Sequence, residues 1–341
     1  MRRVILLTAL FIGLCSAGCG KQGLEEPPAG MRNVQTADSA MACRPASKRK
    51  VTADDIKITK ELLFDRYTPE KDVYPYGDTV RSFKWKTIRQ CLAFIENMQQ
   101  EKVHWAVFRN YKNQNGEAPV VRRFVRNAYR RVSDTLGVER YQSVPLYMPT
   151  DTVTPERYGR DGFIVRLKGE EGSFYRIHPA TMEAEWLVPR RYLKVLSDTT
   201  TFRHVIFVDR RDQNITTLEQ VKENEWKVRS MNPATTGRHA PPYAQETPLG
   251  MFLLQQKKER MIFLKDGSSA LGGYAPYASR FTNGAYIHGV PVNAPRTAMI
   301  EYSWSLGTTP RSHMCVRNAT SHAKFIFDWA PVENSLVVVI E

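Results

Sequence analysis

The sequence predicts a multidomain, mainly β protein with a helical N-terminal region, a small β-barrel and a β-rich C-terminal domain. Three observations predict it. One stretch, Phe83 to Gln100, carries apolar residues at helical spacing. From Gly137 the texture changes to short apolar runs separated by turn residues. A second β-rich stretch runs from Phe202 onward, with one helical interruption after Cys315.

The chain has 341 residues, enough for two or three domains, and its 42% hydrophobic and 11% aromatic content exclude a disordered polymer. Its net charge of +14, to which Arg2 and Arg3 contribute, suits an anionic partner such as nucleic acid, membrane headgroups or a wall polymer. No RNA-binding signature, zinc-finger spacing or dominant basic helix is visible, so no nucleic acid is expected.

The N-terminal segment sets a compartment. Arg2-Arg3, the apolar run Val4 to Leu14 and the small residues Ser16-Ala17-Gly18 read as a signal peptide over 1–18. The residues before Cys19 resemble a bacterial lipobox, relaxed at Ser16, which makes Cys19 the expected lipidation site. The expected product is a lipoprotein anchored to the cell envelope and facing the periplasm. Residues 19–52 are rich in Gly, Pro, Ala, Ser and Lys and read as a flexible tether. A Cys43–Cys91 bridge is possible in an oxidising compartment, although Cys91 in Ile88-Arg89-Gln90-Cys91-Leu92 suits a small core residue better.

Residues 53–135 read as helix-rich. Trp85, Ile88, Cys91, Leu92, Ile95 and Met98 recur at spacings of three and four. The basic stretch from Val120 to Val132 is expected as a second helix with a solvated face. Residues 136–197 hold short strand-like runs, among them Val144-Pro145-Leu146-Tyr147 and Gly162-Phe163-Ile164-Val165-Arg166-Leu167. Closing on Glu185-Trp186-Leu187-Val188-Pro189-Arg190-Arg191-Tyr192-Leu193, they resemble bacterial SH3-like modules. In 201–341, Val205-Ile206-Phe207-Val208 and Ile215-Thr216-Thr217-Leu218 form an expected hairpin. Met251 to Leu254 and Met261 to Leu264 flank an expected charged tip at Lys257 to Arg260. A helix is expected over Ala323, Ile326, Phe327 and Ala330, capped by Asn318 or Ser321 and stopped by Pro331, before a buried strand, Leu336 to Ile340.

Cys315, in Ser312-His313-Met314-Cys315-Val316-Arg317-Asn318, has the company a reactive thiol needs: His313 two residues before, Arg317 two after, and a helix start beyond. On those grounds its pKa is expected to fall. Ile287-His288-Gly289 offers a second histidine, with a glycine that permits close approach. The order Thr236-Gly237, Thr247-Pro248-x-Gly250, Ile287-His288-Gly289 and Ser312-His313-x-Cys315-Val316-Arg317-Asn318 resembles the L,D-transpeptidase catalytic domain.

That resemblance implies a cysteine acyltransferase that cross-links peptidoglycan stem peptides without a cofactor. Cys315 is then the nucleophile and His288 the general base. Gly289, Ser312, His313, Met314 and Arg317 frame the substrate and oxyanion pockets, with Arg317 able to pair with a stem carboxylate. Two departures stand out. Met314 replaces the family's glycine between the motif His and Cys, and the stretch from His288 to Ser312 is longer than the family's, suggesting a lid or a packed insertion. The alternatives are an L,D-carboxypeptidase or amidase that hydrolyses the same acyl-enzyme, a non-catalytic wall-binding lipoprotein, or zinc held by His288, His313 and Cys315. His104, His178, His204, His239 and His322 lack such company and read as structural or surface residues.

Overall fold

The run Val205-Ile206-Phe207-Val208 is apolar without alternation, which suits a strand covered on both faces. The computed structural model describes residues 49–101, 103–180 and 184–341, and in it this run sits inside a six-stranded sheet. The order is Lys57–Lys60, Glu225–Pro233, Asn214–Lys222, His204–Asp209, Ser335–Ile340, Gly250–Leu253. The hairpin expected around Asp209 to Asn214 is present, with Val205 opposite Leu218 and Val208 opposite Ile215. Val205 and Phe207 turn to one face with Leu218, Trp226, Leu336 and Val338. Ile206 and Val208 turn to the other with Ile215, Val337 and Val339.

Helix α1, Trp85–Gln100, closes the first face with Ile88, Leu92, Ile95 and Met98, as its spacing predicts. Each such burial contributes about 1.5–3 kcal/mol. The buried Glu96 fixes the docking angle, because its Oε1 accepts from Trp226 Nε1 at 2.9 Å, Gln220 Nε2 at 2.6 Å and the Asn224 N–H at 2.9 Å. The second face is closed by another sheet, Gln256–Leu264, Leu271–Thr282, Ala285–His288 and Val316–Arg317, with Val292–Asn293 paired to Leu271–Thr282. Helix α2, Thr320–Trp329, adds Ile326 to that core.

The helix-rich expectation for 53–135 fails outside α1. The region contributes the strands Lys57–Lys60, Val73–Tyr76, Thr79–Ser82, His104–Phe108, Phe124–Arg126 and Val132–Asp134. Lys57–Lys60 is a parallel edge strand of the six-stranded sheet. The basic stretch is a hairpin, not a helix, with Arg126 opposite Val132. Arg130 adopts φ +59° at its turn, and Asn127 Oδ1 accepts from the Tyr129 and Arg131 N–H groups. Branched Val120, Val121, Val125 and Val132 favour strands, and such a local Asn turn competes with helix.

Residues 136–197 do form closely spaced strands. They build a five-stranded sheet, Trp186–Pro189, Phe174–Pro179, Ile164–Glu171, His104–Phe108, Leu193–Val195, that borrows His104–Phe108 from before residue 136. Lys257 to Arg260 are no tip; they lie inside the nine-residue strand Gln256–Leu264. The N-cap of α2 is Ala319 rather than Asn318 or Ser321. Val51, in the stretch expected as tether, is tied to α1: its N–H and carbonyl bond the Asn97 side chain at 2.8 and 2.7 Å. The signal peptide, Cys19, Cys43 and the tether up to residue 48 lie outside the described residues.

Candidate active site

Strands Ala285–His288 and Val316–Arg317 run parallel, with Ile287 opposite Val316 and His288 opposite Arg317. Side chains alternate along a strand, so Ile287 and Val316 enter the core while His288, Arg317 and Cys315 face away from it. All three line one cavity of about 580 Å³, together with Met261, Phe263, Ser312 and His313.

His288 is buried, and its Nδ1 lies 2.6 Å from the Gly289 carbonyl. A carbonyl only accepts, so Nδ1 carries the proton and Nε2 keeps a lone pair. Burial lowers its pKa to about 4, with Arg317 adding to the effect. The close approach at Gly289 requires glycine: a Cβ there would meet Thr320 Oγ1 at 2.7 Å. Cys315 is buried as well, its Sγ 3.6 Å from the Gly284 carbonyl. The expectation of a depressed thiol is overturned. Burial pushes it up to about 11, and neither the Tyr286 backbone N–H nor Arg317 offsets that. Helix α2 starts only at Thr320. Both groups therefore rest neutral at pH 7: a thiol, and an imidazole able to accept its proton.

The other predicted residues take distinct places. Ser312 is buried and its hydroxyl donates to the Cys315 carbonyl, bracing the loop rather than facing the thiol. His313 is turned outward, its Nε2 2.9 Å from Asp266 Oδ2 on the connection between Gln256–Leu264 and Leu271–Thr282. Met314 adopts φ +81°, the left-handed region that glycine occupies without strain. Thr247 holds this conformation: its hydroxyl donates to the Met314 carbonyl at 2.8 Å and accepts the Gly237 N–H at 2.9 Å. A Cβ at Gly237 would lie 2.7 Å from Met314 Cα. The four sequence landmarks therefore meet around one loop. Among the described residues, no three His, Cys, Asp or Glu side chains converge as a metal site.

Sequence reasoning missed Asp266, Gly284 and a buried network behind the thiol. Tyr286 shares a small apolar cluster with Cys315, and its hydroxyl lies 3.2 Å from that of Tyr111. Tyr111 in turn lies under the Arg280 guanidinium, 4.2 Å from its ring centroid, and Arg280 is paired at 2.6 Å with the fully buried Asp161. Tyr111 and Asp161 are too far along the chain from Cys315 for local spacing to reveal this. The long segment after His288 borders the cavity through Pro291, Asn293 and Ala294. Tyr302 lies against Tyr67 with ring centroids 4.5 Å apart, and Glu301 receives the Ser321 N–H and hydroxyl at the start of α2.

The sequence has no match among curated proteins. The chain is similar to a fused Zn-dependent amidase/peptidase/peptidoglycan-binding domain-containing protein from Clostridium acetobutylicum, at 19% identity and TM-score 0.30, over 41% of this chain and 54% of that one. It thus spans about half the length of that relative. An L,D-transpeptidase from Mycobacterium smegmatis is similar at 16% identity and TM-score 0.33, over 52% of this chain and 82% of that one. One from Mycobacterium tuberculosis H37Rv is similar at 19% identity and TM-score 0.31, over 55% and 70%. Residues 203–340, which contain His288, Cys315 and the loop they share, match the YkuD family model, the L,D-transpeptidase catalytic domain.

Proposed function

We propose that the chain is a peptidoglycan L,D-transpeptidase acting through a Cys315 thioester. The observation that carries this reading is the placement of Cys315, one residue before strand Val316–Arg317, and of His288, on the strand paired with it, at one cavity, with His288 Nδ1 committed to the Gly289 carbonyl. Sγ attacks the carbonyl joining the stem's diamino acid to D-alanine while its proton passes to His288 Nε2. The tetrahedral oxyanion is held by backbone N–H groups around Cys315. Its collapse breaks the C–N bond, and His288 returns the proton to the departing D-alanine amine. An amine of a second stem then attacks the thioester, its proton goes through His288 to sulfur, and a cross-link and free thiol result. Water in place of that amine gives the carboxypeptidase outcome, which the same geometry supports.

Export, a lipid anchor at Cys19 and a wall-binding role for the SH3-like stretch 136–197 complete the proposal; the basic composition suits an anionic envelope. The test is incubation with a carbapenem and, separately, with purified stem tetrapeptide, followed by mass analysis. The expected result is an adduct on Cys315 that is lost in His288→Ala, with a dimer marking transfer and a shortened monomer marking hydrolysis. Unchanged product formation by Cys315→Ala would end the catalytic reading.

A further inference from the structure

The loop from Gly237 to Thr247 touches two parts of the chain at once. Its base holds the Cys315 loop: the Thr247 hydroxyl donates to the Met314 carbonyl and accepts the Gly237 N–H, and the Arg238 N–H reaches the Ser312 carbonyl at 3.1 Å. Its tip is folded back on itself, since Ala240 and Ala244 exchange N–H to carbonyl bonds of 2.9 and 3.0 Å. Base and tip pack together at Gly237, where a Cβ would run into the Gln245 carbonyl and lie 2.7 Å from both the Thr247 nitrogen and Met314 Cα. A shift of Gln245 is therefore passed directly to Thr247 and Met314.

The tip is held by residues that lie outside 203–340. Tyr129, at the turn of the hairpin Phe124–Arg126 and Val132–Asp134, donates its hydroxyl to the Ala244 carbonyl at 2.8 Å. That hydroxyl lies 3.2 Å from His239 Nδ1 and has already given its proton to Ala244, so Nδ1 is the donor there. Glu139 is 8% exposed. Its Oε1 accepts from Gln245 Nε2 at 2.5 Å and Asn127 Nδ2 at 2.7 Å, while Oε2 accepts from Arg131 at 3.1 Å. A carboxylate this buried is tolerated only while its donors stay in place, which fixes Gln245 against the hairpin. On this side the Cys315 loop borders a cavity of about 130 Å³ shared by Glu139, Gln245, Gly284 and Met314. Close packing does not hold the loop there, so hydrogen bonds decide its position.

We propose that Glu139 and Tyr129 are positioning residues for Cys315, acting through Gln245, Thr247 and Met314. The strands preceding the matched catalytic domain thus help to set the geometry of its nucleophile. The inference rests on the transpeptidase reading for the reaction served, whereas the bracing of the loop does not depend on it.

The test uses the full chain and reads Cys315 twice, by carbapenem acylation and by iodoacetamide alkylation, with Cys91 alkylation as the measure of general unfolding. Glu139→Ala should slow acylation about tenfold, since a displaced nucleophile loses its alignment. It should speed Cys315 alkylation about fivefold, because a lost hydrogen bond frees the loop and uncovers a buried thiol. Tyr129→Phe should move both rates in the same directions by a smaller factor, and Cys91 should be unchanged in each. Glu139→Gln keeps the oxygen that Gln245 needs and should restore both rates. In a Thr247→Val background Glu139→Ala should add no further change, since the path is already cut. Unchanged Cys315 rates in Tyr129→Phe, an equal change in Glu139→Gln, effects that multiply with Thr247→Val, or parallel rises at Cys91 in both variants would overturn the proposal. The expected alkylation response, together with no product or adduct from the unsubstituted chain, would instead sink the transpeptidase reading and leave the bracing standing.

Discussion

A thiol whose pKa is about 11 is a thiolate in only about one molecule in ten thousand at pH 7, since each pH unit is a factor of ten. An unperturbed cysteine with a pKa near 8.5 would be about 3% ionised at that pH, so Cys315 should alkylate about 300-fold more slowly. Forming its thiolate at pH 7 requires about 5 kcal/mol. His288, held near 4 by burial, does not offset this by becoming a resting imidazolium. The assay is alkylation by iodoacetamide between pH 6 and 10, with the peptides containing Cys315 and Cys91 followed separately by mass. The logarithm of the Cys315 rate should climb with a slope of one and show no plateau below pH 10. His288→Ala should leave that slope alone while abolishing acylation by a carbapenem, which needs the base. A plateau beginning near neutral pH would reveal a resting thiolate–imidazolium pair and refute the neutral-pair reasoning.

Three further outcomes follow from the same geometry. Met314→Gly removes about 1–2 kcal/mol of left-handed strain but loses roughly as much in side-chain burial and chain entropy. Urea melts should therefore place it within about 1 kcal/mol of the parent, while Met314→Val, branched at Cβ, falls by about 2 kcal/mol or more. Asp161→Ala leaves Arg280 buried without its partner and should lower stability by about 3–5 kcal/mol; a loss under about 1 kcal/mol in the same melts would contradict a tightly closed network. His288 and His322 are buried with pKa values lowered by burial to about 4 and about 3. The unfolded chain protonates both near pH 6.5 while the folded chain does not, so their stabilisation is full above pH 6.5 and is lost as pH falls. Each should remove about 3 kcal/mol by pH 4, with close to two protons taken up on unfolding near pH 5; pH-independent melts over that range would refute it.

Much of the catalytic half was legible because its signals are local. The apolar run Val205 to Val208 states that both faces are covered, and the landmarks around Thr236, Thr247, His288 and Cys315 keep their order in the chain. The protonation state of the thiol was not legible. Neighbours in sequence, His313 and Arg317, suggested activation, yet His313 points to Asp266 and burial outweighs Arg317. The stretch Val120 to Val132 misled because arginines interleaved with apolar residues fit a period of two as well as one of 3.6. The roles of Lys57–Lys60 and of Tyr111 were hidden for a different reason: each acts on a partner more than 150 positions away, beyond any window of spacing.

The strand Ser335–Ile340 lies between His204–Asp209 and Gly250–Leu253 and links them in the sheet. It brings His204 beside Ser335, so the sheet closes over a loop of more than a hundred residues, a slow step in folding. Until it docks, Gly250–Leu253 has no sheet partner there, and the adjoining Thr247 has no fixed position from which to hold Met314 left-handed. The Cys315 loop would thus be assembled near the end of folding rather than exposed, half-formed, at its beginning.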